Sequence, residues 1–133
     1  MAQTHTLSRL TFLACLALTG ACSEASRTQE FTTVTSPHGD YTLVAAVIKP
    51  WFPQGPYLVS LALKVTASGQ VQPLIKTDLA YDGVPFTAKN IVVRWTGARE
   101  ALACLRASDR PDKAVQVTVA PDGQAEAIMR SGC

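Results

Sequence analysis

The sequence predicts an all-β domain, an antiparallel β-sandwich or small barrel of about eight short strands. Three observations point there. Runs of five to ten apolar and β-branched residues recur from Phe31 onward, Pro/Gly turn signals separate them, and the spacing is too close for crossover helices between parallel strands. One stretch, residues 97–107, competes as a short helix. The 133 residues carry 12 Lys and Arg against 10 Asp and Glu, with 47% hydrophobic residues. That length and balance suit one compact domain and exclude a disordered, collagenous or coiled-coil chain.

The elements follow in order. Phe31–Thr35 (FTTVT) is β-branched and aromatic, and Ser36-Pro37-His38-Gly39 then turns the chain, with Pro second and Gly where a positive φ is wanted. Along the return run Asp40–Ile48, Tyr41, Leu43, Ala45 and Val47 share one face while Val44, Ala46 and Ile48 share the other. Both faces can be covered, which is the pattern of an interior strand. Three Pro and a Gly in Lys49–Pro56 (KPWFPQGP) deny that stretch both helix and ladder, so it is a loop. Tyr57–Thr66 is the clearest strand, with Tyr57, Val59, Leu61, Leu63 and Val65 alternating against Leu58, Ser60, Ala62, Lys64 and Thr66.

Ser68-Gly69 turns that strand into Val71–Thr77, where Pro73 allows only an edge or a bulge. A connection with Gly83 and Pro85 leads to Asn90–Trp95, which places Ile91, Val93 and Trp95 together. Ala101–Ala107 is rich in helix formers, and Thr96 could cap a helix whose apolar stripe is Ala98, Leu102 and Leu105. A Trp-bearing strand followed by Gly97 and charged residues favours a hairpin, so a strand is the expectation. Ala114–Val119 and Ala125–Arg130 flank Pro121-Asp122-Gly123-Gln124, a second Pro-x-Gly turn.

The first two dozen residues have a different character. Met1–Arg9 holds one Arg and no acid, and Leu10–Ala21 is uncharged. Spanning a bilayer takes about 20 apolar residues, whereas roughly 7 to 15 is the length of an export signal. The run closes on Leu18-Thr19-Gly20-Ala21-Cys22. This segment resembles a bacterial lipoprotein signal, whose lipobox sets small residues before a cysteine that is acylated and becomes the first residue of the mature chain. The resemblance covers residues 1–22, with Thr19 where Leu or Val is usual. It implies a signal over 1–21, a lipidated Cys22 with a polar tether to residue 30, and a folded domain over 31–133. It further implies membrane lipid as a partner, through acylated Cys22, and a place in the cell envelope. Ser23 after the cysteine is compatible with the outer membrane, facing the periplasm. Each buried acyl CH2 contributes about 0.8 kcal/mol, so two or more chains hold a protein stably on a membrane it does not cross.

Processing at that point leaves 112 residues in which Cys104 and Cys133 are the remaining free thiols. In an oxidising compartment they are expected to form a disulfide; the competing expectation is that terminal Cys133 bonds another chain. No C-x-x-C spacing marks a redox-active pair.

Catalytic and metal chemistry has little material. His38 is the only imidazole after Cys22 and falls in a turn, where a solvated residue is the ordinary reading. Asp78 and Asp82, with Asp40 or Asp122, could supply paired carboxylates, but acids in Gly-containing loops more often make turns. Asp109, Asp112 and Asp122 lack calcium-loop spacing, and neither a phosphate loop nor a nucleophile elbow is present. The net charge of +2 without a Lys/Arg run gives no nucleic-acid footprint.

The remaining feature is Trp51, Phe52 and Pro53 in the Pro-stiffened loop, a candidate partner-binding segment because rigid aromatics lose little entropy on contact. The ordinary reading of the pair is that it folds back to plug one end of the sandwich, since exposed aromatics invite aggregation; contact with lipid is a third reading. Ser36-Pro37-His38-Gly39-Asp40-Tyr41 is similar to the S-P-D-G-x-Y hairpins of bacterial propeller blades and of small β-rich envelope domains with a later Trp-bearing strand, as Val92-Val93-Arg94-Trp95 is here. It departs at His38. The expected function is a non-catalytic, cofactor-free binding or assembly module of the envelope, with an envelope protein as a further partner. An enzyme inhibitor or exclusion-type lipoprotein using the Trp51/Phe52 loop is the alternative, ahead of a hydrolase.

Overall fold

The computed structural model describes residues 24–52, 55–79 and 86–133. Eight strands run in chain order: β1 Thr28–Thr35, β2 Tyr41–Ile48, β3 Leu58–Val65, β4 Val71–Asp78, β5 Ile91–Trp95, β6 Glu100–Leu105, β7 Lys113–Val119 and β8 Ala125–Ser131. They form two four-stranded antiparallel meanders, β1-β2-β3-β4 and β5-β6-β7-β8, stacked face to face as a sandwich. The first strand starts at Thr28, three residues before the apolar run, because backbone pairing with Val47 and Ile48 accepts the polar side chains of Thr28 and Gln29.

The core lies between the sheets and comes from one face of each strand. Register aligns Tyr41 with Val65, Leu43 with Leu63, Ala45 with Leu61 and Val47 with Val59, so the alternating sets of β2 and β3 stack in rows. Opposite them, β6 contributes Ala101, Ala103 and Leu105, and β7 contributes Val115, Val117 and Val119, all buried. This periodicity settles residues 97–107 against a helix. Glu100, Leu102 and Cys104 alternate outward while Ala101, Ala103 and Leu105 alternate inward, and pairing with β5 and β7 on both sides satisfies the backbone. Tertiary pairing overrides the helix propensity of Ala and Leu.

Pro73 sits on the edge strand β4 and beside a bulge: Ala62 faces Pro73 and Leu61 faces Ile75, leaving Leu74 as the extra residue. A second bulge in β1 leaves Phe31 unpaired between Glu30 and Thr32 and packs it on the core.

Because each sheet is a plain meander, the connections sort by end. The β1–β2, β3–β4, β5–β6 and β7–β8 turns gather at one end, here the hairpin end. The β2–β3, β4–β5 and β6–β7 connections lie at the other, the loop end, with the first and last described residues. Cross-sheet contacts show that the ends coincide: Trp95 meets Val34 at the hairpin end, and Lys113 meets Asp78 at the loop end. The Ser36–Gly39 turn forms as the sequence predicts, with Gly39 N–H donating to the Ser36 carbonyl at 2.9 Å and φ of 80° at Gly39. Buried Ser36 caps it by accepting from Tyr41 N–H at 3.1 Å.

Open sheet edges are joined by side chains. Trp95 Nε1 donates to the Val34 carbonyl at 2.9 Å, linking β5 to β1. Gln72 does the same between β4 and β8: its Nε2 donates to the Gly123 carbonyl at 2.8 Å and its Oε1 accepts from Ala125 N–H at 3.1 Å.

Candidate functional site

The loop end concentrates the side chains with chemical character. Trp51 and Phe52 are 65% and 71% exposed, outside the hydrophobic core. The described residues on either side of 53–54 approach each other. Gly55 N–H donates to the Phe52 carbonyl at 3.2 Å, and a Cβ at Gly55 would stand 2.8 Å from Pro50 Cβ, so only glycine fits that approach. Pro53 lies outside the described residues.

The first described residues join this corner. Arg27 N–H donates to the Glu24 carbonyl at 3.0 Å in a short helical turn, and Thr28 Oγ1 donates to the same carbonyl at 2.8 Å. Arg27 is bound to the loop in two directions: Lys49 N–H donates to the Arg27 carbonyl, and Arg27 Nη1 donates to the Lys49 carbonyl at 2.6 Å. Its guanidinium lies 5.2 Å from the Trp51 ring centroid, a cation–π distance. Glu24 pairs with Lys76 of β4, and that ammonium holds the Glu24 carboxyl below the usual range.

The role of end plug falls to a different aromatic. Phe86 packs against the core with its ring 4.6 Å from Tyr57 and 6.0 Å from Phe31, edge-on to the latter. Sequence reasoning passed over it because Phe86 belongs to the Gly83/Pro85 connection, where an isolated aromatic carries no periodicity. Its position directly after Val84-Pro85 was the available signal.

Cys104 and Cys133 are free thiols in contact. Cys104 occupies the outer face of β6, 7% exposed, and its thiol is near enough to that of Cys133 to affect its titration, while the Cys133 thiol donates to the Lys113 carbonyl at 3.3 Å. Ala114 stands between Cys104 and Arg130 in the sheet register, a small residue under the returning C-terminus. Cys133 is exposed as a residue, but partial desolvation of its sulfur, then the Cys104 thiol and the charge of Asp112, push its thiol up to about 11.

The acid–base candidates are separated. His38, Asp40 and Asp122 are exposed at the hairpin end, while Asp78 ends β4 at the loop end. Asp82 lies outside the described residues. The Asp78 carboxylate is taken up by Arg110 and by Lys113 Nζ at 3.2 Å, which tie β4 to β7 across the sandwich. Sequence spacing gave no sign of this pairing. Among the described residues no three His, Cys, Asp or Glu are gathered in a metal-binding group. A shallow depression of about 300 Å³ beside the β4 bulge is lined by Ser60, Ala62, Pro73, Leu74 and Lys76, and its one ionisable group is Lys76.

No family model, curated protein or solved structure matches this chain.

Proposed function

We propose that the protein is a lipid-anchored module of the bacterial cell envelope, held through acylated Cys22 at the outer membrane and facing the periplasm, and that it acts by binding rather than catalysis. The carrying observation is how the side chains divide between the ends. His38, Asp40 and Asp122 are at the hairpin end, away from Asp78, whose carboxylate is engaged by two cations. The exposed aromatics Trp51 and Phe52 stand instead in the corner where the chain arrives from Cys22. An exposed aromatic pair in a proline-rich segment suits contact with a partner, because proline leaves less backbone entropy to be lost.

In an oxidising compartment the Cys104 and Cys133 thiols become a disulfide. The exchange consumes a disulfide oxidant: one S–S bond forms in the domain, the oxidant's S–S bond breaks, and two protons and two electrons leave with its two thiols. Intact mass of protein from the envelope is then two hydrogens below that of the reduced chain.

The anchoring test is metabolic labelling with palmitate followed by membrane fractionation. Wild type takes label and sediments with outer membrane; Cys22→Ser takes none and is released to the soluble fraction. A Cys22→Ser protein that stays equally membrane-bound rejects the anchor.

A further inference from the structure

We infer that Trp51 and Phe52 contact the membrane surface itself, so that the loop end of the sandwich docks on the headgroup zone of the leaflet that carries the anchor. The inference rests on the anchoring proposed above and names what this aromatic pair meets.

The geometry starts from chain length. Cys22 precedes Glu24 by two residues, so their Cα atoms are at most about 7 Å apart. Glu24 closes a turn on Arg27, Arg27 is hydrogen-bonded to Lys49, and its guanidinium lies over Trp51. The turn keeps Glu24 and Arg27 within about 7 Å of each other. An acylated Cys22 sits at the headgroup level of the bilayer, so Trp51 is held within about two nanometres of it by a chain fastened to the domain rather than by a long free tether.

Chemistry agrees with that place. Trp beside cationic side chains is the pattern of the membrane–water interface, where the ring meets the acyl boundary and the cation meets anionic headgroups. Arg27, over the Trp51 ring, and exposed Lys49 supply the cations; the neighbouring acid, Glu24, is paired with Lys76 and also feels the charge of Arg27. Phe52, 71% exposed, follows Trp51 directly and accepts a hydrogen bond from Gly55 N–H at its backbone carbonyl. Phe86, Tyr57 and Phe31 pack together against the core, and the pair stays outside it. Two large exposed aromatics on so small a domain call for cover, and the surface brought to them by the anchor provides it.

The test uses mature acylated protein, beginning at Cys22, reconstituted in phosphatidylethanolamine/phosphatidylglycerol vesicles whose acyl chains are brominated, with tryptophan fluorescence as the readout. Trp51 and Trp95 are the only indoles, and Trp95 is held in the sandwich by Val34. In wild type a large part of the emission is quenched, and Trp51→Phe removes that quenched part and leaves Trp95 unquenched. In parallel, Cys22→Ser protein is added to the same vesicles, where Trp51→Ala plus Phe52→Ala lowers partitioning at least tenfold. Palmitate-labelled wild type whose quenching equals that of Trp51→Phe overturns the inference and leaves the anchor standing; Trp51 then meets water or a protein. Absence of label with Trp51 still quenched rejects the anchor and keeps the membrane contact. Absence of both rejects both.

Discussion

The indole nitrogen of Trp95 reaches across the sandwich to the backbone carbonyl of Val34 at 2.9 Å, while its ring stacks on Tyr41 at a centroid distance of 6.4 Å. One side chain thus closes an edge and fills the core beside it. Trp95→Phe keeps a ring against Tyr41 and removes the donor. Urea unfolding is expected to show a loss of about 1–2 kcal/mol, the range for a half-buried acceptor left unmatched. An unchanged midpoint would mean that the bond contributes nothing.

Gln72 offers a cleaner case at the opposite edge, since both ends of one amide are used. Gln72→Leu keeps the volume and strands the Gly123 carbonyl and Ala125 N–H, at about 1–2 kcal/mol. Hydrogen exchange at the Ala125 amide should rise by more than that of amides in the middle of β7. Equal change at both positions would point to general destabilisation rather than an opened edge.

The two sets of loop-end aromatics should separate in thermal unfolding. Phe86→Ala removes the plug and costs about 2–4 kcal/mol, less than a fully buried Phe because the ring is only partly covered. Trp51→Ala plus Phe52→Ala changes stability by no more than about 0.5 kcal/mol, since both are exposed. A double variant as unstable as Phe86→Ala would return Trp51 and Phe52 to the core.

For reduced protein, the pH dependence has a defined sign. Cys133 titrates near 9.0 in an unfolded chain and is raised to about 11 when folded, chiefly by burial and by the Cys104 thiol. The native state therefore holds the extra proton. Its contribution to stability is complete below pH 9 and is lost as pH rises from 9 through about 11. Unfolding midpoints of reduced wild type should fall across that window relative to Cys133→Ser, and iodoacetamide should react slowly with Cys133 at pH 8. Rapid alkylation at pH 8 would show the thiol to be unprotected.

Oxidation of the same pair should raise stability. A bond between residues 29 positions apart removes unfolded-state entropy worth about 3.5 kcal/mol in the chain-entropy description. The difference between oxidised and reduced wild type should vanish in Cys104→Ala. A persisting difference would assign it to another reaction of the oxidant.

Local patterning carried most of the architecture. The alternation in Tyr41–Val47 and Tyr57–Val65 is written residue by residue, and meander topology needs only neighbours along the chain, so strands and turns were legible. Residues 101–105 were ambiguous because Ala and Leu favour helix when alone; two flanking strands decide the matter, and neither is local information. Gln72, Phe86 and the Asp78–Arg110–Lys113 cluster were invisible for the same reason. Each acts on a partner dozens of residues away in the chain or in an unpatterned loop, where spacing encodes nothing. Trp51 and Phe52 stood out as a candidate because their loop is so rich in proline, but only their exposure in the folded domain, with Phe86 packed on the core instead, shows that the core does not need them.

The separation into two consecutive meanders has one more consequence. No strand of β1–β4 is paired within the sheet of β5–β8, and a single covalent link, between Asp78 and Ile91, joins the halves. Each half can zip up from sequential neighbours as it emerges, with little loop-closure entropy to overcome, and then needs only a complementary apolar face. That docking is held within one molecule only by the backbone between Asp78 and Ile91, so joining the sheets is the one step of folding whose contacts are all distant along the chain.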